Sequence, residues 1–512
     1  MTQSTGRLAT HVGAGILVTR ILGFVRERVF AHYFGDGPAA DAFRAALRIP
    51  NVIRNLLGEG TLSASFIPVY AGMIERGETE DARRLAGVIA SLLVVVTAVA
   101  ALAGIVLAPI ITDVVAIGFS GVRRELTITL VEIMFPMSGV MILSAWCLGV
   151  LNTHRRFFLA YAAPAVWNIV QIATLLVLGG VLLELRLIVA LAWGALVGSV
   201  LQVLIQLPTT LRAVGGIRWR LSLATRGVRN VIRAWVPVVF GAGAYQISSI
   251  IDTQLASLLA TGAVAILGYA QLVALLPVSL FGVSVAAVAL PELSRDVAAN
   301  DADALRVKLA VGTRRIAFFV LPAAVAFAAL SQEIIAGLFQ TGAFGPTQSA
   351  IAGGVLAAYA IGIPPQATIK LFASGHYAHG DTRTPVRIAI ASVIVSAISA
   401  YLLMQRFGPA GIALGAAIGA YLNMGLNFAT LGRKLGRILG RDQLRPIVAS
   451  VIATIPAAFA GTVAAGTLGT APPWTSAAAG LLTFALVYGA IVLAVRHPEA
   501  LGLVRRGAIR RP

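Results

Sequence analysis

Leu191-Ala-Trp-Gly-Ala-Leu-Val-Gly-Ser-Val-Leu-Gln202 and Ile412-Ala-Leu-Gly-Ala-Ala-Ile-Gly-Ala-Tyr-Leu-Asn423 align without a gap. Ala192/Ala413, Gly194/Gly415, Ala195/Ala416, Gly198/Gly419 and Leu201/Leu422 are identical. The amides Gln202/Asn423 and Gln206/Asn427 extend the match. Small residues four apart let two helices approach closely in a bilayer, so convergence on packing alone would explain the glycines. It would not explain amides at the same offsets. We read an internal repeat, displaced by 221 residues.

The sequence around both copies is that of a membrane protein. Hydrophobic residues make up 58% of the 512 and charged residues only 12%, against about 45–50% and 25% in soluble domains. Crossing about 30 Å of hydrocarbon takes roughly 20 apolar residues. Stretches of that kind fall near 8–34, 38–72, 86–112, 126–151, 158–183, 187–211, 230–260, 263–293, 316–339, 347–374, 386–404, 409–432, 446–467 and 474–495. That predicts an all-α integral membrane protein with fourteen spans. The repeat then falls on spans 6 and 12. Six spans is an even number, so the two copies share one orientation. This describes two parallel six-helix lobes around a central cleft, as in transporters. The lobes are expected at 1–212 and 213–435, with spans 13 and 14 and a basic cytoplasmic tail at 436–512.

The basic residues test this topology. With both termini cytoplasmic, 29 of the 40 Lys and Arg lie in cytoplasmic segments, from Arg7 to Arg511. Only Arg123, Arg124, Arg186 and Arg406 lie outside, and seven lie within spans. A missed or extra helix would scramble that alternation, which follows the positive-inside rule. The net charge of +19 is therefore read as topology determinants and anionic-lipid contacts, with no nucleic-acid partner. Cys147 is the single cysteine, which excludes an intramolecular disulfide and leaves no cysteine metal site. The first apolar run is interrupted by Arg20 and has no small-residue cleavage site, so no cleavable signal peptide is expected.

Charge inside the spans carries the functional signal. Between Gly13 and Tyr70 lie Arg20, Arg26, Arg48, Arg54, Asp41 and Glu59. A charge at the bilayer centre costs at least roughly 2.5–3.5 kcal/mol and usually faces a wet cavity. Such a set points to a polar chamber for an anion. Structural salt bridges to Glu27, Asp41 or Glu59 are the plainer reading of the same arginines. Asp41, Arg44 and Arg48 share one helical face by spacing. Arg28 and Arg44 lie nearer helix ends and are read as snorkelling to the interface. Lys370, deep in span 10, is either cavity lining or structurally paired. His376 and His379 flank a loop and are not read as metal ligands, and Glu132 and Glu333 lie near span ends.

Thr19-Arg-Ile-Leu-Gly-Phe-Val-Arg26, Ala40-Asp-Ala-Phe43, Ile49-Pro-Asn-Val-Ile-Arg54, Gly58-Glu-Gly60 and Phe66-Ile-Pro68 resemble the opening of the MurJ/MviN family. These are the lipid II flippases of the multidrug/oligosaccharidyl-lipid/polysaccharide exporter superfamily. Leu148-Gly-Val-Leu-Asn-Thr153, Arg156-Phe157, Ala163-Pro164, Gln246-Ile-Ser248, Phe339-Gln-Thr-Gly-Ala-Phe344 and Asp381-Thr-Arg-Thr-Pro385 follow in order. The resemblance runs from about residue 8 to 435.

It implies transport of the lipid-linked peptidoglycan precursor, in cell-wall biogenesis and cell shape, across the bacterial cytoplasmic membrane. Two lobes would rock around a cationic cavity, while the last two helices form a groove for the polyprenyl tail. By motif, Arg20, Arg26 and Arg54 would be cavity arginines, with Asp41 and Glu59 as accompanying acids and Lys370 as a further basic position. Guanidinium forks pair bidentately with phosphate oxygens and stay charged. Gly23 would let span 1 bend between its arginines. No cofactor is implied; membrane potential or a monovalent ion would drive the cycle.

The chain departs from the family pattern in span 8. Tyr269-Ala-Gln-Leu-Val-Ala-Leu-Leu-Pro277 places Gln271 and Leu272 where the family has an acid and an arginine. For the family's sodium site, Asp252 is the candidate ligand, but Ser396 and Ala400 replace the expected span 11 groups. A related exporter of another polyprenyl-pyrophosphate glycan, or a non-transporting paralogue, therefore stays open. A membrane-embedded enzyme would need clustered acid/base or metal groups at a membrane face. This chain has no Asp-rich loop, no convincing His/Asp pair and no phosphate-cradling glycine loop.

Overall fold

The computed structural model describes residues 2–216, 219–468 and 471–509, with the side chains of 2–12, 14, 59, 240–242, 244, 245, 287 and 504–509 outside that description. The glutamate read at Glu59 and the topology arginines Arg7, Arg218, Arg505, Arg506, Arg510 and Arg511 therefore lie outside the described residues. Among the described residues every regular element is helical, and the chain divides into two compact units.

The first unit comprises Met1–Ala265 with Thr341–Ala343. Its helices are α1 (Thr2–Phe34), α2 (Pro38–Ala46), α3 (Arg48–Leu57), α4 (Glu59–Glu75), α5 (Thr79–Val106) and α6 (Ala108–Val115). They continue with α7 (Gly121–Thr153), α8 (Phe157–Ala162), α9 (Pro164–Leu178), α10 (Glu184–Val214) and α11 (Val228–Ser257). The central element is α7, against which α2, α3, α4, α5 and α10 pack. Leu130, Met134, Met137, Ile142 and Leu151 on α7 are fully buried. Span 7 packs here as α11, against α3 and α4.

The second unit holds Ile266–Gln340 and Phe344–Pro512. It contains most of α12 (Ala263–Pro277), a π-helical turn (Val278–Gly282), α13 (Val283–Ala298), α14 (Ala302–Ala329) and α15 (Ser331–Phe339). After these come α16 (Pro346–Ala378), α17 (Arg383–Phe407), α18 (Pro409–Leu435), α19 (Arg441–Gly466), α20 (Pro473–Ala494) and α21 (Pro498–Ile509). Here α16 is central and packs on α13, α14, α15 and α18. The last membrane pair, α19–α20, seats on α14 through Phe318, Ala453, Ala457, Phe484 and Tyr488. The Tyr488 hydroxyl donates to the Phe318 carbonyl at 2.9 Å.

Eleven helices or helix runs among the described residues are long and apolar enough to cross a membrane. The protein is a multi-pass helical membrane protein. The three expected spans outside that eleven are α1, the α2–α4 run and α11. α1 and α11 include residues outside the description, and the α2–α4 run is broken into helices of 9, 10 and 17 residues. Large apolar side chains elsewhere face outward as a bilayer requires, among them Val106 (76% exposed) and Leu486 (73%).

The span expected at 38–72 is three helices. Leu47 separates the first two, and Gly58 separates α3 from α4. A Cβ at Gly58 would strike the Arg54 carbonyl, so the break requires glycine. Pro164 starts α9, where a missing N–H costs nothing. The π turn follows Pro277, which leaves a carbonyl of the preceding turn without its usual donor. The Ser279 hydroxyl donates to the carbonyls of Leu275 and Leu276 at 2.8 and 3.1 Å. By contrast, α1 runs through Gly23 as one continuous helix.

Candidate functional site

The charged group of the first unit is built on α1, α2 and α3. Glu27 on α1 is buried and bridges two cations. Its Oε1 accepts from Arg26 at 2.5 Å and its Oε2 from Arg44 at 2.6 Å. The Arg26 guanidinium lies over the Trp167 ring of α9, 4.6 Å from its centre. That of Arg44 lies 5.4 Å from the centre of Phe30. Arg44 therefore turns inward to Glu27 instead of snorkelling to the interface. The structural carboxylate for Arg26 is Glu27, its neighbour in sequence.

A second group joins α3 to α11. Arg48 donates through Nε to the Thr253 hydroxyl at 2.7 Å and through its NH1 nitrogen to the Ser249 hydroxyl at 3.3 Å. It also interacts electrostatically with Asp252, one residue before Thr253. Asp252 is half-buried and belongs to the first unit, whereas Ser396 belongs to the second. Ser396 is buried against Gly419 of α18.

Arg54, half-buried at the end of α3, donates to Met141 Sδ on α7 at 3.5 Å. Arg20 is exposed on α1 and has no carboxylate within ion-pair distance among the described residues. Lys370 on α16 is likewise exposed, and no ion pair to it is present among the described residues. Gln271 and Leu272 are half-buried on α12.

Asp41 is placed differently. It is fully buried at the start of α2. Its Oδ2 accepts from the Gly262 N–H at 2.7 Å and from Arg123 at 3.4 Å, and its Oδ1 from the Ala265 N–H at 2.9 Å. Two of these donors are the free amides at the beginning of α12, where a carboxylate is favoured. Asp41 thus neutralises Arg123 and caps a helix.

Arg26 and Arg44 share Glu27, Arg48 interacts with Asp252, and Arg20 and Arg54 lie on the same run of helices. A buried polar layer lies beside them. Ser144 on α7 accepts from Gln202 Nε2 and donates to Gln206 Oε1, both at 2.7 Å. Glu27 is one of the three carboxylates the sequence offers for these arginines, whereas the inward turn of Arg44 is not legible there. Glu27 also lies seven residues after Arg20 on α1, hence on the same helical face.

A multi-pass helical unit with guanidiniums gathered on α1–α3 has the architecture of a polytopic membrane transporter. Its fold is that of the multidrug/oligosaccharidyl-lipid/polysaccharide exporters. A solved structure titled "Lipid II flippase MurJ, inward closed conformation" superposes with a TM-score of 0.76 at 22% identity, over 94% of this chain and 99% of the other. An inward-facing multidrug resistance MATE transporter of the same superfamily follows at TM-score 0.69 and 15% identity, over 82% and 95%. The family model described as "Lipid II flippase MurJ" matches residues 30–482. A probable lipid II flippase MurJ of Rhizobium tropici is 34% identical over 417 residues, 79% of this chain and 76% of that protein. The lipid II flippase MurJ of Burkholderia cenocepacia is 34% identical over 415 residues, 80% of each. The chain belongs to the MurJ lipid II flippase family.

Proposed function

We propose that this protein moves lipid II, the polyprenyl-pyrophosphate-linked peptidoglycan precursor, from the inner to the outer leaflet of the bacterial cytoplasmic membrane by alternating access. The observation that carries this reading is the concentration of guanidiniums on α1–α3, with Arg20, Arg26, Arg44, Arg48 and Arg54 on three consecutive helices of a membrane unit. Guanidinium forks pair bidentately with the oxygens of a pyrophosphate. Arg20, Arg26 and Arg54 are the proposed substrate arginines. Asp41 and Glu59 serve as accompanying acids, Asp41 through the start of α12, and Lys370 is a further cation for the same ligand.

The finer architecture belongs to this reading. It has fourteen spans, lobes at 1–212 and 213–435, a terminal pair with a basic tail, and both termini cytoplasmic. The protein acts as a transporter, not a catalyst. Membrane potential or a monovalent ion drives it, with Asp252 and Ser396 as candidate cation ligands.

The test is rescue of a strain depleted of its lipid II flippase. Arg26→Ala and Arg54→Ala should abolish rescue while the protein remains inserted. Each loses charge-assisted hydrogen bonds of about 1.5–3 kcal/mol. Arg54→Lys should fall between, since lysine keeps the charge and loses the fork. Wild-type rescue by both alanine variants would place the substrate elsewhere.

One observation favours a second reading. The uncharged Gln271 and Leu272 on α12 fit an exporter of another polyprenyl-pyrophosphate glycan, or a non-transporting paralogue. Under the lipid II reading, purified Leu272→Arg binds lipid II at least as well as wild type. Weaker binding by a well-folded variant favours the second reading.

A further inference from the structure

The junction of α18 and α19 carries a feature that the transport reading does not use. The chain leaves α18 at Gly436, with φ +79°, and re-enters helix at Arg441. Two grooves adjoin there and share Leu444. One, of about 360 Å³, runs along α19 between Arg441, Arg445, Val448 and Ile452. The other, of about 580 Å³, lies under the 436–439 loop and includes Arg437. The walls are apolar and the rim is arginine.

Arg437, Arg441 and Arg445 are all exposed, and none is in an ion pair among the described residues. Arg437 Nε donates only to the Leu439 carbonyl, at 3.1 Å. The nearby Lys434 is already neutralised by Asp381 at 2.6 Å. Asp442 is the one acid in the segment from Arg433 to Arg445. The rim is therefore a cationic collar without its counter-charge.

The groove continues into the membrane. Val448, Ile452, Ile455 and Phe459 follow at helical spacing and are all more than half exposed. From Arg445 to Ile455 the helix rises about 15 Å, half of a hydrocarbon core of about 30 Å. An acidic peptide could meet the collar but would leave this stripe uncovered. A molecule with a phosphate at one end and a chain of one leaflet's depth covers both.

We infer that this junction binds an anionic phospholipid of the leaflet it faces, with the phosphate held between Arg441 and Arg445 and an acyl chain along Val448, Ile452 and Ile455. Basic pockets between membrane helices hold such headgroups by the same physics. The site would tie α19 to the end of α18 and make the stability of the terminal pair dependent on lipid charge.

The experiment is native mass spectrometry of the purified full chain, titrated with phosphatidylglycerol or phosphatidylcholine. The wild type should retain phosphatidylglycerol in preference to phosphatidylcholine. Arg441→Gln/Arg445→Gln should weaken the phosphatidylglycerol adduct by about thirtyfold, the worth of two interfacial arginines. Arg441→Lys/Arg445→Lys should restore most of it, and a thermal unfolding curve without lipid should match wild type for both variants. An unchanged adduct in the glutamine variant, or equal retention of the two lipids by wild type, overturns the proposal. Displacement of phosphatidylglycerol by an equimolar polyprenyl pyrophosphate also overturns it, by making the groove part of the substrate path.

Discussion

The two copies of the internal repeat are packed alike and furnished differently. In the first unit, α10 lays Gly194 against Thr174 and Gly198 against Trp167 and Val170, all on α9. In the second, α18 lays Gly415 against Ala400 and Gly419 against Ser396 and Ser392, all on α17. The same glycines therefore meet the helix of the preceding span in both. The polar groups beyond them diverge. Gln202 and Gln206 clasp Ser144 on α7. Asn427 instead donates to Asn423 at 2.8 Å, and its carbonyl lies 3.4 Å from His376 Nε2 on α16. Close packing has little freedom, because a Cβ in the wrong place meets backbone. Polar groups only need some partner, so they changed while the helix pair kept its geometry.

The largest effect should come from the charge that the first unit alone buries. Glu27→Gln leaves Arg26 and Arg44 without their shared carboxylate in a low-dielectric setting. Breaking such a pair from one side costs about 3–5 kcal/mol; we expect about 3, since both guanidiniums keep some solvent. Thermal unfolding in detergent measures it. A loss below about 1 kcal/mol would mean the cluster is wet and its two ion pairs contribute as little as surface ones.

A smaller effect separates the two repeat copies. Gly415→Val must displace the backbone of Ala400, whereas Gly194→Val meets only the Thr174 side chain. Overpacking costs about 1–3 kcal/mol, and Gly415→Val should lie at the top of that range and Gly194→Val at the bottom. Gly23→Ala, with open space around it, is the neutral control. Equal losses at Gly194 and Gly415 would break the comparison.

The smallest effect is in the pH dependence of the second unit. Burial, foremost, lowers the His497 pKa below its usual 6.5. The ring accepts the Glu499 N–H at Nδ1 and faces the Pro446 carbonyl and Ser450 with Nε2, which is the neutral form. The unfolded chain binds the proton first, so this contribution is present above about pH 6.5 and fades as pH falls below it. Asp381 is held below the usual carboxylate range, first by Lys434 and then by the Thr384 N–H. Its contribution is complete above its ordinary value of 3.8 and is lost only in stronger acid. His497→Gln should flatten the unfolding temperature between pH 7 and 5, as checked by scanning in detergent; Asp381→Asn should leave that window unchanged.

The packing of the repeat was legible because glycine spacing states directly where two helices touch. The break of span 2 was not, because it depends on Gly58 meeting its own chain at Arg54. The arginines announced themselves by cost, since nothing else explains a guanidinium in lipid. Their partners were legible only as a choice among Glu27, Asp41 and Glu59, of which Glu27 pairs with Arg26. Arg44 lies near a helix end and reads as snorkelling until the return of α2 onto α1 brings it to Glu27. Asp41 has the spacing of a partner for Arg44 and Arg48, but the amides at Gly262 and Ala265 reach it from more than two hundred residues away. Sequence reports which charges are buried, and tertiary structure decides who neutralises whom.

The clasp at Asp41 has a mechanical consequence. A single buried carboxylate fastens the start of α2, the first turn of α7 through Arg123, and the entry to α12. Parting any of those three pieces would break at least one hydrogen bond to a carboxylate that has no exposed surface. The π turn at Val278–Gly282 is the next departure from regular α-helix downstream.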